Sequence, residues 1–170
     1  KTTKKKPKAV VVTHLYGVPA QIDSIKKICS EHNVILIEDA AEAVGSTWDN
    51  KPLGGFGDFG ILSFNGNKIV TTGGGGALLT NKECYDRGIY LATQANSGKS
   101  DFYHESVGYN YRMSNVLAGI GVAQLEKLDQ FVSKKRKIFD YYKEHLSPWF
   151  VFPTEEKKSY CNRWLSTPLA

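Results

Sequence analysis

Lys68, Asp39 and Ser63 are the residues whose types and positions suit chemistry. Lys68 lies between a strand-like run and four consecutive glycines, within Asn65-Gly-Asn-Lys-Ile-Val-Thr-Thr-Gly-Gly-Gly-Gly76. A lysine held in a partly desolvated pocket can act as an amine nucleophile toward a carbonyl. Asp39 follows the apolar run Val34-Ile-Leu-Ile37, where its carboxylate would hold a proton on a heterocyclic nitrogen. Ser63, near another strand end, would bind a phosphate together with nearby amides. Each has a plainer reading: a surface lysine, a helix-capping aspartate, and a buried hydroxyl bonded to the backbone.

The elements that must place these groups follow from hydrophobic spacing. Residues 9–13 form a β-branched run without clear alternation, which suits a strand buried on both faces. After Gly17 and Pro19, the segment 21–32 places Ile22, Ile25, Ile28 and Cys29 at helical spacing, and residues 34–37 read as a second strand. This is a βαβ unit, so the strands should be parallel with a right-handed crossover, leaving Glu38 and Asp39 just beyond a carboxyl end.

Residues 59–64 and 77–80 read as further strands, and a helix capped by Asn81 with Glu83 in its first turn is expected to about Leu91. The stretch 97–106 is polar and loop-like. A long helix begins near Ser114, with Leu117, Ile120, Leu125, Leu128 and Phe131/Val132 along one face, and continues with a break through Leu146. Four glycines in a row are costly to order, so a tight turn or a close approach is expected there.

Composition narrows the function classes. The chain has 170 residues, 41% hydrophobic and 23% charged, with a net charge of +5. That suits one globular domain, or part of one, and not wholesale disorder. No apolar stretch is long enough for a membrane helix, and the basic start at residues 1–8 lacks the apolar stretch of a signal peptide. Cys29, Cys84 and Cys161 are odd in number and far apart, which points to incidental thiols in a reducing cytoplasm and not to disulfides or a metal site. The Lys134-Lys-Arg-Lys137 run reads as the solvated side of the long helix, and the basic runs lack the interleaved aromatics of a nucleic-acid surface.

An amine for an aldehyde, an acid for a ring nitrogen and a hydroxyl for a phosphate together describe a site for pyridoxal 5′-phosphate. The ordered motifs His14-Leu-Tyr-Gly17, Ile37-Glu-Asp-Ala-Ala-Glu-Ala-Val-Gly-Ser46, Gly57-Asp-Phe-Gly-Ile-Leu-Ser-Phe-Asn-Gly-Asn-Lys68, Gly73-Gly-Gly-Gly-Ala-Leu-Leu-Thr80 and Gly108-Tyr-Asn-Tyr-Arg-Met113 closely resemble the sugar aminotransferases of the DegT/DnrJ/EryC1/StrS family. The resemblance covers roughly residues 9–147. It implies an α/β fold: part of the three-layer large domain of a fold type I pyridoxal-phosphate enzyme, with a mostly parallel sheet and flanking helices.

By the same resemblance, Lys68 would link covalently to the cofactor and then shuttle a proton. Asp39 would pair with the ring nitrogen, Ser63 would bind the phosphate, and Asn110 would reach the cofactor phosphate of a neighbouring subunit. Glu42 falls near the ring, where many relatives carry Gln or His, and an ionised carboxylate there cannot donate a hydrogen bond. Dehydratases of the family carry histidine in place of the lysine, so Lys68 favours transamination. The motifs are most like enzymes that aminate the 4-keto group of nucleotide-linked 4-keto-6-deoxy-N-acetylhexosamines. UDP is the expected nucleotide, glutamate the donor, and surface-glycan synthesis the setting.

The resemblance further implies a cytoplasmic homodimer, with no membrane or nucleic-acid partner. It divides the chain into a partial cofactor domain with its long helix, residues 1–147, and a linker into the small domain, residues 148–170. Full-length members are longer, so the chain reads as a central segment lacking an upstream phosphate-binding turn and ring-stacking aromatic. On its own it would be weak or inactive. The competing reading is a non-catalytic module that self-associates through surfaces those segments would cover.

Overall fold

A computed structural model describes residues 5–98 and 103–170. Residues 1–4 of the basic start and 99–102 of the polar stretch lie outside the described residues. The β-branched run forms β1 (Ala9–Thr13), and the chain crosses over through α1 (Ile22–Glu31) to β2 (Ile35–Asp39). β2 lies parallel to β1, with Val11 opposite Ile37 and Thr13 opposite Asp39. β5 (Phe59–Ser63) is parallel to β2 in turn, and β6 (Gly76–Thr80) closes the edge antiparallel to β5. The sheet order is β1-β2-β5-β6, a mostly parallel α/β sheet with flanking helices.

Alternation along the strands sorts the residues between two unlike faces. On one, Val10, Val12, Leu36 and Leu62 pack with Ile22, Ile25 and Cys29 of α1. Complete burial of Ile22 and near-complete burial of Leu36 contribute roughly 1.5–3 kcal/mol each. Ile28, expected on that stripe, is exposed because at about 100° per residue it falls roughly 90° from the stripe's centre. The other face is open: Val11, Ile35, Ile61 and Leu78 are all exposed. The expectation that β1 is buried on both faces therefore fails, because α1 covers only one. α2 (Lys82–Ala92) approaches the open face at its β6 edge, where Gly88 faces Leu78.

Glu38 and Asp39 are the last two residues of β2 and not residues beyond it, so they point to opposite faces. A short hairpin that the sequence reading missed follows: β3 (Thr47–Trp48) and β4 (Lys51–Pro52). Its Asp49-Asn50 turn has φ of 50° and 60°, the paired positive values of a primed two-residue turn. β7 (Ser159–Tyr160) adds to the other edge of β3, which brings the C-terminal segment back onto the sheet's end.

Asn81 caps α2 by accepting from the Cys84 amide at 3.0 Å, and Ser114 caps α3 (Asn115–Leu125). The helix expected to carry one face from Ser114 through Phe131/Val132 is interrupted earlier, at residues 126–127, and α4 (Leu128–Leu146) then runs unbroken to Leu146. α3 buries none of its residues, so the face expected on it lies open, whereas α4 buries Val132 and Phe139. Arg136 departs from the solvated face read for its basic run. It makes a two-pronged bond to Glu155 at 2.6 and 3.1 Å, donates to the Cys161 carbonyl at 2.6 Å and lies over the Tyr160 ring. Arg163 approaches the same carboxylate at 3.3 Å.

Candidate active site

The Lys68 loop is built by backbone bonds that close it on itself. The Phe64 amide donates to the Gly75 carbonyl at 2.9 Å, the Thr72 amide to the Phe64 carbonyl at 2.9 Å, and the Lys68 amide to the Asn65 carbonyl at 3.0 Å. Ile69 and Val70, directly after the lysine, are buried with Val132 and Trp164, against Phe64, Leu128 and Phe131. Burial of its two successors therefore anchors Lys68. The glycine stretch turns at Gly73 and Gly75, with φ of 79° and 99°. At Gly75 an added Cβ would also lie 2.8 Å from the Met113 Cε.

Lys68 Nζ stands 3.6 Å from Glu42 Oε1, with the side chains 14% and 22% exposed. It also lies 4.5 Å from the centre of the Trp164 ring. Glu42 Oε2 accepts the Tyr16 amide at 2.6 Å, and Tyr16 adopts φ of 57°, a left-handed conformation that costs about 1–3 kcal/mol. The carboxylate is thus fixed by one oxygen and offers the other to the lysine. Gly17 follows at φ of 78°, where an added Cβ would lie 2.1 Å from Asn162 Oδ1.

Asp39 and Ser63 lie on the open face of the sheet, at the C-terminal ends of neighbouring parallel strands. Asp39 pairs in register with Ile61, and Ser63 is two residues further along β5, hence on the same side. Asp39 Oδ1 accepts the Ala41 amide at 3.2 Å and Oδ2 the Thr13 hydroxyl at 3.4 Å. Ser63 Oγ accepts the Asn65 amide at 3.4 Å. Asp39 and Ser63 thus stand at one end of the sheet, and Lys68 follows in the loop that leaves β5 at that end, its amine beside Glu42. Asn110 is apart from them: it is exposed and bridges to Thr93.

Glu38, next to Asp39 in sequence, has a structural job. Its fully buried carboxylate takes hydrogen bonds from the amides of Gly54 at 2.9 Å, Phe56 at 2.5 Å and Gly57 at 2.7 Å, and lies 3.1 Å from His14 Nε2. His14 Nδ1 accepts the Ala20 amide, so the ring hydrogen sits on Nε2 and is donated to Glu38. Burial pushes the Glu38 carboxyl up, but the bonds from His14 and the Gly57, Gly54 and Phe56 amides outweigh it and hold it below the ordinary value. Among the described residues, no group of three or more His, Cys, Asp or Glu is placed to hold a metal ion.

The sequence reading did not anticipate the part played by residues 162–164. Asn162 Nδ2 donates to the carbonyls of Glu42 and Val44 at 2.8 and 2.9 Å, its amide donates to Ser46 Oγ at 2.9 Å, and its Oδ1 accepts the Trp164 amide at 2.9 Å. Trp164 Nε1 donates to the Asn67 carbonyl at 2.7 Å, one residue before Lys68. Nothing in the local pattern of Tyr160-Cys-Asn-Arg-Trp-Leu165 signals these contacts, which span about a hundred residues of chain.

A mostly parallel sheet with flanking helices, and a partly shielded lysine beside a carboxylate in the loop after β5, mark an α/β protein with a candidate site at the carboxyl end of the sheet. The chain belongs to the DegT/DnrJ/EryC1/StrS aminotransferase family, whose model matches residues 1–170. EpsN of Bacillus subtilis (strain 168), named as a candidate pyridoxal phosphate-dependent aminotransferase, is 47% identical over 164 residues, covering 95% of this chain and 42% of EpsN. GDP-perosamine synthase of Escherichia coli O157:H7 is 42% identical over 161 residues, covering 94% of this chain and 44% of the synthase. The crystal structure of the aminotransferase TlmJ from Streptoalloteichus hindustanus superposes with a TM-score of 0.88 at 34% identity, covering 95% of this chain and 46% of TlmJ. The chain spans less than half the length of each of these relatives.

Proposed function

We propose that this chain carries the cofactor-linking lysine of a pyridoxal-phosphate-dependent aminotransferase that aminates a nucleotide-linked keto sugar for surface-glycan synthesis. The observation that carries the reading is the grouping of Lys68 and Glu42 at 3.6 Å, with Asp39 and Ser63 on one open face of the sheet. The donor set fits the cofactor: an amine for its aldehyde, a carboxylate for its ring nitrogen and a hydroxyl for its phosphate. When bound, that group supplies an aldehyde and an electron-withdrawing ring.

The chain's own residues divide the remaining work. Lys68 Nζ is the base that takes the proton from the donor's Cα. Asp39, accepting from Ala41 and Thr13, is oriented to hold a proton at the ring nitrogen. Ser63 Oγ binds phosphate oxygen. Glu42, tethered by the Tyr16 amide, keeps the lysine's amine at one place. Asn110, exposed on its loop, serves a neighbouring subunit's cofactor in a homodimer. The substrate read from the motifs is a UDP-linked 4-keto-6-deoxy-N-acetylhexosamine with glutamate as donor, acting in the cytoplasm. The similarity to a GDP-perosamine synthase makes a GDP-linked 4-keto sugar the substrate to test beside it.

The test is the absorbance of the chain with added pyridoxal phosphate, followed by borohydride trapping and peptide mapping, beside Lys68→Ala. A new visible band with adduct on Lys68, absent in Lys68→Ala, is expected. Adduct scattered over surface lysines and unchanged in the variant refutes the reading. A second reading, a self-associating module, is favoured by the exposed Val11, Ile35, Ile61 and Leu78 on the open face.

A further inference from the structure

We propose that Trp164 is a positioning residue for Lys68, and that residues 162–164 form a clasp holding both members of the Lys68–Glu42 pair. The inference rests on the reading of Lys68 as the reactive amine. It goes beyond that reading by giving the C-terminal segment a part in the site.

Trp164 would be an ordinary core residue if its ring met only apolar side chains. Here one ring face meets the Lys68 Nζ at 4.5 Å, while the rest of the residue is 7% exposed and packed with Ile69, Val70 and Val132. An ammonium over an indole face is attracted by the ring's negative quadrupole, more strongly where water is excluded. The indole N–H is spent on the Asn67 carbonyl, the peptide immediately before the lysine. One side chain therefore holds the loop by its edge and the amine by its face.

Asn162 does the matching work on the other partner. Its side-chain amide bridges the Glu42 and Val44 carbonyls, and its Oδ1 binds the Trp164 backbone. The two grips are therefore linked within three residues. A shift of this segment would move the amine and its carboxylate together. Lys134 and Lys135 of α4 line the same small cleft as Lys68 and Trp164.

The test uses reductive methylation by formaldehyde and cyanoborohydride, with the rate at each lysine mapped by mass spectrometry. Exposed Lys26 and Lys82 serve as internal standards. Trp164→Leu, which removes the ring, is expected to speed methylation of Lys68 about fivefold to tenfold relative to the standards. Trp164→Phe, which keeps a ring and loses the N–H, should stay within about twofold of the parent. An unchanged Lys68 rate in Trp164→Leu, or equal acceleration in both variants, overturns the proposal.

If Trp164→Leu fails to fold, the reciprocal measurement decides. The emission of Trp164, taken as parent minus Trp164→Phe, should shift when Lys68→Met removes the charge from above the ring. No shift overturns the proposal. Trapping with pyridoxal phosphate is read separately: absence of adduct on Lys68 with the methylation pattern as expected supports the clasp and counts against the enzymatic reading.

Discussion

Replacing Glu38 by Gln tests the division of labour between neighbouring acids at the end of β2. Glu38 Oε1 accepts from Phe56 and Gly57, and Oε2 from Gly54 and His14. Whichever way the glutamine amide is turned, its NH2 faces two donors. His14 cannot relieve the clash by moving its hydrogen, because Nδ1 is needed as the acceptor for Ala20. Two buried donors thus lose their acceptor, at about 1–3 kcal/mol each, so the loss of stability is about 2–6 kcal/mol. With a urea slope of about 2 kcal/mol per molar, the midpoint should fall by about 1–3 M at unchanged slope.

The pH dependence has a definite sign. A carboxyl held below its ordinary value of 4.5 contributes stability that is fully present above that value and is lost as pH falls through the folded-state value. Glu155, held down by Arg136 despite burial, has the same sign. Glu38→Gln should therefore show a flatter decline of stability below about pH 4.5 than the parent, with the Glu155 part remaining. Urea melts between pH 3 and 7 provide the check. A midpoint shift below about 0.3 M at neutral pH, or an unaltered acid limb, would refute the assignment of Glu38 as the keystone of the Gly54–Gly57 turn.

Gly17→Ala should destabilise the chain by on the order of 2 kcal/mol or more, since the new Cβ meets Asn162 Oδ1 at 2.1 Å and the Glu42 carbonyl at 2.9 Å in a left-handed conformation. Urea denaturation reads the loss, and a neutral result would mean that Asn162 is not locked where it stands. The open sheet face makes a concentration-dependent prediction: sedimentation should show reversible association that weakens when Val11 and Leu78 are both changed to Thr. A clean monomer at high concentration in the parent would count against the self-associating reading.

The parallel βαβ unit was legible because strand, helix and strand each carry a dense apolar signal at their own period, and the crossover rule then leaves one arrangement. The cap at Asn81 and the helix start at Ser114 were legible for a local reason: side chains that bond the backbone three residues on act without reference to the rest of the fold. The candidate chemistry at Lys68, Asp39 and Ser63 was legible through residue type and position at strand ends, and the ordered motifs through their resemblance to a family.

Which face of each strand is covered was not legible, because alternation says that two faces differ and not what packs on either. Val11 and Ile61 are as apolar as Val10 and Leu62, yet only the latter pair packs against the buried core to which α1 contributes. The roles of Glu38 and Asp39 diverge for a similar reason. Adjacent acids in one strand must point oppositely, and only the position of the Gly54–Gly57 turn shows which of them is enclosed.

What the sequence determined by itself was therefore the local and the chemical: elements, caps, and the amine, acid and hydroxyl to be gathered. What only the tertiary structure decided was long-range pairing: Arg136 turned to Glu155, Tyr16 strained to hold Glu42, and Asn162 and Trp164 closed over Lys68. Such contacts join segments far apart in the chain, and their geometry depends on how whole elements pack, which no short window of sequence encodes.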